Sequence, residues 1–138
     1  ARGDVQMDKI GIAGHCMGGR MSIWGAATDS RISACVAYYP GNCFKPWSDD
    51  GPAPFDVLET VKGPVIGFFG GDDQNPSPDD MAKLDAEFSR LGIPHDFHAY
   101  PGAGHAFQNF LSDERYREEA TKDSLAKMSA FLDSWRNG

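Results

Sequence analysis

IGIAGHCMGGR, Ile10 to Arg20, is the stretch that decides the fold. The apolar run Ile10 to Gly14 reads as a short buried strand, and Arg20 to Thr28 reads as a helix of small residues. Only a tight turn fits between them. The spacing Gly14-x-Cys16-x-Gly18 is that of a nucleophile elbow, with Cys in place of Ser. The spacing has a steric reason. A nucleophile held on a strained turn needs neighbours without side chains, so that strand and helix can approach and the reactive atom projects from the sheet. The following helix points its N-terminus at Cys16, which favours a thiolate and any oxyanion formed beside it, and the backbone N–H of Met17 would be one oxyanion donor. Against this stands the commoner fate of a lone cysteine in a glycine-rich turn, which is inert burial.

An elbow of this kind is followed in chain order by an acid after a later strand and a His in the loop after the next. Both are present. The run Val65 to Phe69 leads into Gly70-Gly71-Asp72-Asp73-Gln74, and Asp96 to Tyr100 leads into Pro101-Gly102-Ala103-Gly104-His105-Ala106-Phe107. Each candidate falls at the carboxyl end of a strand, where open α/β sheets place their sites. A neutral imidazole at 105 can accept a thiol proton, and a carboxylate behind it can fix its tautomer. Taken alone, Asp73 would be a solvated turn acid and His105 a capping or core histidine. The order of all three favours a site.

Elsewhere short apolar runs alternate with helical periods, as in an α/β domain. Ile10 to Gly14, Ala34 to Tyr39 and Val65 to Phe69 read as parallel strands buried on both faces, with Asp96 to Tyr100 a fourth, more polar one. Ser77 and Pro78 open a helix through Met81, Leu84, Phe88 and Leu91, and Gly92 closes it. After Ser112, the residues Tyr116, Ala120, Leu125, Met128, Phe131, Leu132 and Trp135 predict a C-terminal helix, with Glu118 and Lys122 paired on its wet side. Gly41 to Pro54 has no period and reads as a surface excursion, long enough to hint at function.

The 138 residues, 24% of them charged, suit one globular domain spanning 1–138. Thirteen basic against 20 acidic side chains give a net charge of −7, which argues against nucleic-acid or anionic-membrane partners. No apolar stretch approaches the roughly 20 residues of a membrane span, and Ala1 to Asp8 carries no signal-peptide core. Three cysteines, Cys16, Cys35 and Cys43, make no disulfide framework and point to a reducing, cytoplasmic setting. The tripeptide Arg2-Gly3-Asp4 is a chance match to an adhesion motif. His95 and His98 fall on opposite faces of a strand, a poor metal pair for which solvent exposure is the simpler reading. The Asp pairs at 49–50, 72–73 and 79–80 lack a calcium-loop pattern, and the Gly-rich turn lacks a P-loop ending.

Gly14-His15-Cys16-Met17-Gly18-Gly19, Gly70-Gly71-Asp72-Asp73-Gln74-Asn75-Pro76 and Gly104-His105-Ala106-Phe107 together resemble the dienelactone hydrolases of the α/β-hydrolase superfamily. Cysteine in the elbow is the specific element. The resemblance implies the C-terminal portion of an α/β-hydrolase fold, a mostly parallel sheet of about four strands flanked by helices. It implies Cys16 as nucleophile, His105 as base and Asp73 as its orienting acid, with Asp72 the adjacent rival. It further implies hydrolysis of a small ester or lactone through a thioester, with no metal or organic cofactor. Asn109 stands where members that process dienelactone carry an Arg that holds the substrate carboxylate, so the substrate-binding residues stay unassigned. Family members are longer, and the N-terminal half that supplies further strands, a second oxyanion donor and an activating glutamate is expected to be missing. That absence would leave Ile10 to Gly14 an open edge, so a homodimer or higher oligomer joined there and along the following helix is expected. Two other readings remain: a weak or inactive truncated module that self-associates, and a redox-responsive thiol protein.

Overall fold

The computed structural model describes residues 3–138; Ala1 and Arg2, and with them the first residue of the Arg2-Gly3-Asp4 tripeptide, lie outside it. Four strands, β1 (Ile10–His15), β2 (Ile32–Tyr38), β3 (Val65–Gly70) and β4 (His95–Tyr100), form one sheet in the order β1-β2-β3-β4. Every pairing is parallel. Each connection is therefore a crossover, and α1 (Met17–Thr28) and α2 (Pro78–Arg90) supply the first and third. α3 (Glu118–Asn137) follows β4, and a 3₁₀ helix, Pro54–Thr60, lies in the second crossover.

Alternation along the central strands divides the core. Cys35, Ala37, Val65 and Phe69 pack with Ile23 of α1 and with Leu84 and Phe88 of α2 on one face. Val36, Tyr38, Ile66 and Phe68 pack with Phe107 and with Met128 and Phe131 of α3 on the other. β2 and β3 are thus covered on both faces, as their apolar runs predict. β1 is not: it alternates half-buried with exposed residues, because it lies at the sheet edge and pairs only with β2 among the described strands.

Local chemistry sets the helix limits. Ser77 Oγ accepts the Asp80 N–H (3.1 Å) while Asp80 Oδ2 accepts the Ser77 N–H (3.0 Å), a reciprocal capping box at the start of α2. Gly92, at φ 68°, follows its end. In α3 the buried stripe runs through Ala120 and Ser124 to Met128, and Leu125 is exposed, a correction to the sequence pattern. Ser124 instead accepts a hydrogen bond from Gln108 Nε2 (3.2 Å). The Gly41–Pro54 excursion is anchored rather than purely superficial, since Cys43 and Ala53 are buried. His95 and His98 do take opposite faces but neither is free in solvent: His95 binds Asp85 (3.1 Å) and His98 stacks on Phe68. Among the described residues no helix is long and apolar enough to cross a membrane.

Candidate active site

Because the strands are parallel, the loops after β1, β3 and β4 emerge at one end of the sheet. α1 begins at Met17, three residues earlier than the sequence suggests, so Cys16 alone makes the turn. Its φ of 58° and ψ of −120° are strained for a residue with a side chain. Gly14 makes the turn sterically feasible: a Cβ there would stand 2.1 Å from the Gly18 carbonyl oxygen. The Cys16 N–H donates to the Tyr38 carbonyl (3.0 Å), tying the elbow to the end of β2.

The acid and histidine loops are joined by backbone bonds. Gly71 N–H donates to Tyr100 O (2.8 Å) and Asp72 N–H to Ala103 O (2.9 Å). Gly70 allows this approach, since a Cβ there would lie 2.5 Å from the Ala103 oxygen. These bonds set Asp73, not Asp72, against the imidazole. Asp73 is buried and Asp72 exposed. Asp73 Oδ2 accepts from His105 Nδ1 at 2.8 Å, and its Oδ1 accepts the Asn75 N–H at 2.9 Å. His105 Nε2 in turn lies 2.9 Å from Cys16 Sγ. The three residues picked out from the sequence therefore form one hydrogen-bonded chain, Asp73–His105–Cys16.

The electrostatics are set by burial and by this chain. The Asp73 hydrogen bond, against the opposing effect of burial and with help from Cys16, raises His105 to about 9. Burial pushes both Cys35 and Cys43 up to about 12, so neither competes as a thiolate near neutrality. Cys16 is the one exposed thiol. The Tyr39 ring lies 5.1 Å from the His105 ring and forms a wall beside it.

The chain opens into a cleft of about 470 Å³. Met17 lines it at the first turn of α1, where helical N–H groups have no intrahelical partner. Arg20, Asn42 and Asn75 line it too; Asn75 stands in a stretch that carries the resemblance, but none of the three was given a role from the sequence. Arg20 was legible in principle, standing in the first turn of the helix that follows Cys16. Asn42 was not, because its place depends on a pairing across loops: its N–H donates to Asn75 Oδ1 (2.8 Å), and Asn75 Nδ2 donates back to Asn42 Oδ1 (3.0 Å). Asn109 is not among the residues lining the cleft. Among the described residues no three His, Cys, Asp or Glu side chains gather as a metal cage requires.

The sequence profile of the dienelactone hydrolase family matches residues 1–135. A Methylorubrum extorquens protein named "Putative carboxymethylenebutenolidase" is 34% identical over 133 residues, which cover 94% of this chain and 44% of that protein. The crystal structure of "Putative Dienelactone Hydrolase" from Klebsiella pneumoniae superposes with a TM-score of 0.79 at 28% identity, covering 88% of this chain and 50% of the other. A dienelactone hydrolase-like promiscuous phosphotriesterase from metagenomic libraries gives a TM-score of 0.81 at 20% identity over 98% of this chain and 56% of its own. The fold is accordingly part of an α/β-hydrolase fold, and the chain spans about half the length of the curated relatives it matches.

Proposed function

Since the chain belongs to the dienelactone hydrolase family, we propose that it hydrolyses small carboxylic esters or lactones through a thioester formed on Cys16. The observation that supports this most is the hydrogen-bonded chain from Asp73 through His105 to Cys16. His105 Nε2 takes the thiol proton, and Sγ attacks the carbonyl carbon. The resulting oxyanion is stabilised by the Met17 N–H and the N-terminus of α1. Collapse breaks the C–O bond, and the imidazolium returns its proton to the departing alkoxide; in a lactone that alkoxide stays tethered to the acyl group. Water then attacks the thioester, gives its proton to His105 and releases the acid, and the sulfur regains a proton. Asp73 holds Nδ1 protonated throughout and stabilises the imidazolium.

The test is intact-mass measurement after incubation with an activated ester. A single acyl adduct that maps to Cys16 and decays with time is the expected result. A protein that stays unmodified, or that acylates elsewhere, refutes the proposal.

A specific observation favours self-association as well. The outer edge of β1 has no strand partner among the described residues, and Met17 and Met21 on the adjoining helix are exposed. Such an edge templates pairing, and a two-fold dimer closes it. On this reading two copies join along β1 and α1. The three free cysteines fit a reducing cytoplasmic setting.

A further inference from the structure

His15 ends β1 and immediately precedes Cys16. Although His15 is exposed, its ring is held: it stacks on Tyr38, its partner across the parallel pair, at 4.4 Å between centroids and 11° between planes. Its Nε2 lies 2.7 Å from Oε1 of Gln108, in the loop that carries His105. Gln108 Nε2 donates onward to Ser124 Oγ (3.2 Å), and the Ser124 hydroxyl donates to the Thr121 carbonyl of α3 (3.0 Å). Each step has a fixed direction. A carbonyl can only accept, so the hydroxyl donates to it and takes the amide N–H on a lone pair; the amide oxygen is then left to accept from His15, which must carry a proton on Nε2.

This chain of bonds accounts for a polar residue at an inward position of α3: Ser124 is 0% exposed, and a hydroxyl withdrawn from water is costly unless it is hydrogen-bonded. The chain also spans the two strained turns of the site. Cys16 sits at φ 58° and Ala106, next to His105, at φ 60°. Such conformations persist only where the surroundings hold them. On its α3 side the histidine loop is tied at the Phe107 carbonyl, which accepts from the Arg117 N–H (2.9 Å) and from Thr121 Oγ1 (3.2 Å). On its elbow side, among the described residues, two side-chain hydrogen bonds hold it: His105 to Cys16, and His15 to Gln108. The first is lost to the chemistry, because a thioester sulfur has no proton to share. The second is untouched by it.

We propose that His15 and Gln108 are positioning residues: their hydrogen bond keeps the His105 imidazole in register with Cys16, and still does so after acylation, when the attacking water must find the same Nε2. The inference rests on the reading of Cys16 as the acylated nucleophile. Neither residue lines the cleft. Both act through the backbone, His15 as the neighbour of Cys16 and Gln108 through the turn at Ala106, which the Asn109 N–H closes on the Ala106 carbonyl (2.9 Å).

The pH dependence of Cys16 alkylation by iodoacetamide, followed by peptide mapping, tests this without requiring turnover. The sulfur forms an S–CH₂ bond as the C–I bond breaks and iodide leaves. A well-placed imidazolium favours the thiolate, so a misplaced one moves the half-maximal pH upward. His15→Phe, which keeps a stacking ring, and Gln108→Leu, which removes no titrating group, should each raise that pH by about half to one unit and slow labelling near neutrality about three- to tenfold, as expected for the net contribution of one hydrogen bond. The double variant should lose no more than either single one. His15→Gln, whose amide nitrogen stands as many bonds from Cα as Nε2 does, should restore most of the loss. A lowered thermal midpoint with an unmoved pH profile would make the role merely structural and overturn the inference, as would losses that multiply in the double variant or no rescue by His15→Gln. Should the variants fail to fold, nitrogen NMR of the isotope-labelled wild-type protein decides: His15 should carry a proton on Nε2 that exchanges more slowly than in a free imidazole, and a proton on Nδ1 alone, or free exchange at Nε2, refutes the bond. If the wild-type protein labels Cys16 no faster than Cys35 and Cys43, the nucleophile reading falls and this inference with it. Prompt labelling of Cys16 with no shift in the variants removes this inference alone.

Discussion

Replacing Asp73 by Asn exchanges a single carboxylate oxygen for an NH₂ group and should cripple acylation, whereas the same change at Asp72 should do little. Asp73 is buried and gives one oxygen to His105 Nδ1 at 2.8 Å and the other to the Asn75 N–H at 2.9 Å. A hydrogen bond to a charged group contributes about 1.5–3 kcal/mol, which if lost only in the transition state slows acylation roughly 10- to 150-fold. The amide does further harm. Its NH₂ can donate to Nδ1 and so favour the tautomer that carries its proton on Nε2, the nitrogen facing the thiol. An imidazole so arranged cannot accept the thiol proton, and in a serine enzyme of the same logic this error costs about 10⁴-fold. The expected loss for Asp73→Asn is therefore about 10³-fold or more, against less than about twofold for the exposed Asp72→Asn. Burst kinetics with an activated ester, quantified by intact mass, measure both. Equal effects at the two positions would refute the assignment of the acid, and a burst in Asp73→Asn as fast as in the parent would refute the role of the triad.

Limiting iodoacetamide should label Cys16 first by a wide margin, since burial holds Cys35 and Cys43 near 12; faster labelling of either by peptide mapping would contradict the elbow reading. His105, raised from 6.5 to about 9 chiefly by Asp73, should stabilise the fold fully below about pH 6.5 and lose that contribution as pH rises through about 9. Urea midpoints across that window should therefore fall in the parent and flatten in Asp73→Asn, and parallel curves would count against the pair. Gly14→Ala, whose methyl would meet the Gly18 carbonyl oxygen at 2.1 Å, should cost about 3 kcal/mol or more, and an undiminished thermal midpoint would show that the turn can relax. Light scattering behind size exclusion should find a dimer or larger species; a stable monomer would refute the association proposal.

The strand–turn–helix around Cys16 was readable because glycines at 14 and 18 have little other reason to recur at that spacing. The acid and histidine loops followed from strand ends and chain order. What the sequence could not convey were contacts between segments distant in the chain. The 3₁₀ helix Pro54–Thr60 has no long apolar period; it is marked by Pro54 at its start and by Asp56 Oδ2 accepting the Ala53 N–H (2.8 Å), signals easily lost in a Pro-rich loop. Leu125 looked like core because it is apolar, but the 100° step gives Ser124 the inward position. The edge position of β1 could not be read from composition, since edge and centre read alike, and was expected only through the resemblance to the longer family fold. Asn42 and Asn75 were invisible as a pair because their amides meet 33 residues apart.

The all-parallel order has a kinetic consequence. The Cys16–His105 contact spans 89 residues and the Asp73–His105 contact 32, and no shorter route exists, because each parallel strand must wait for a full crossover before it can dock. During refolding the thiol would therefore meet its base only once all four strands have found their register. On the proposed mechanism Cys16 is an ordinary cysteine until that moment and an activated one afterwards. Its alkylation rate, sampled by brief pulses of reagent as the chain refolds, would act as a built-in clock for the last docking event of the sheet, with no added fluorophore or isotope.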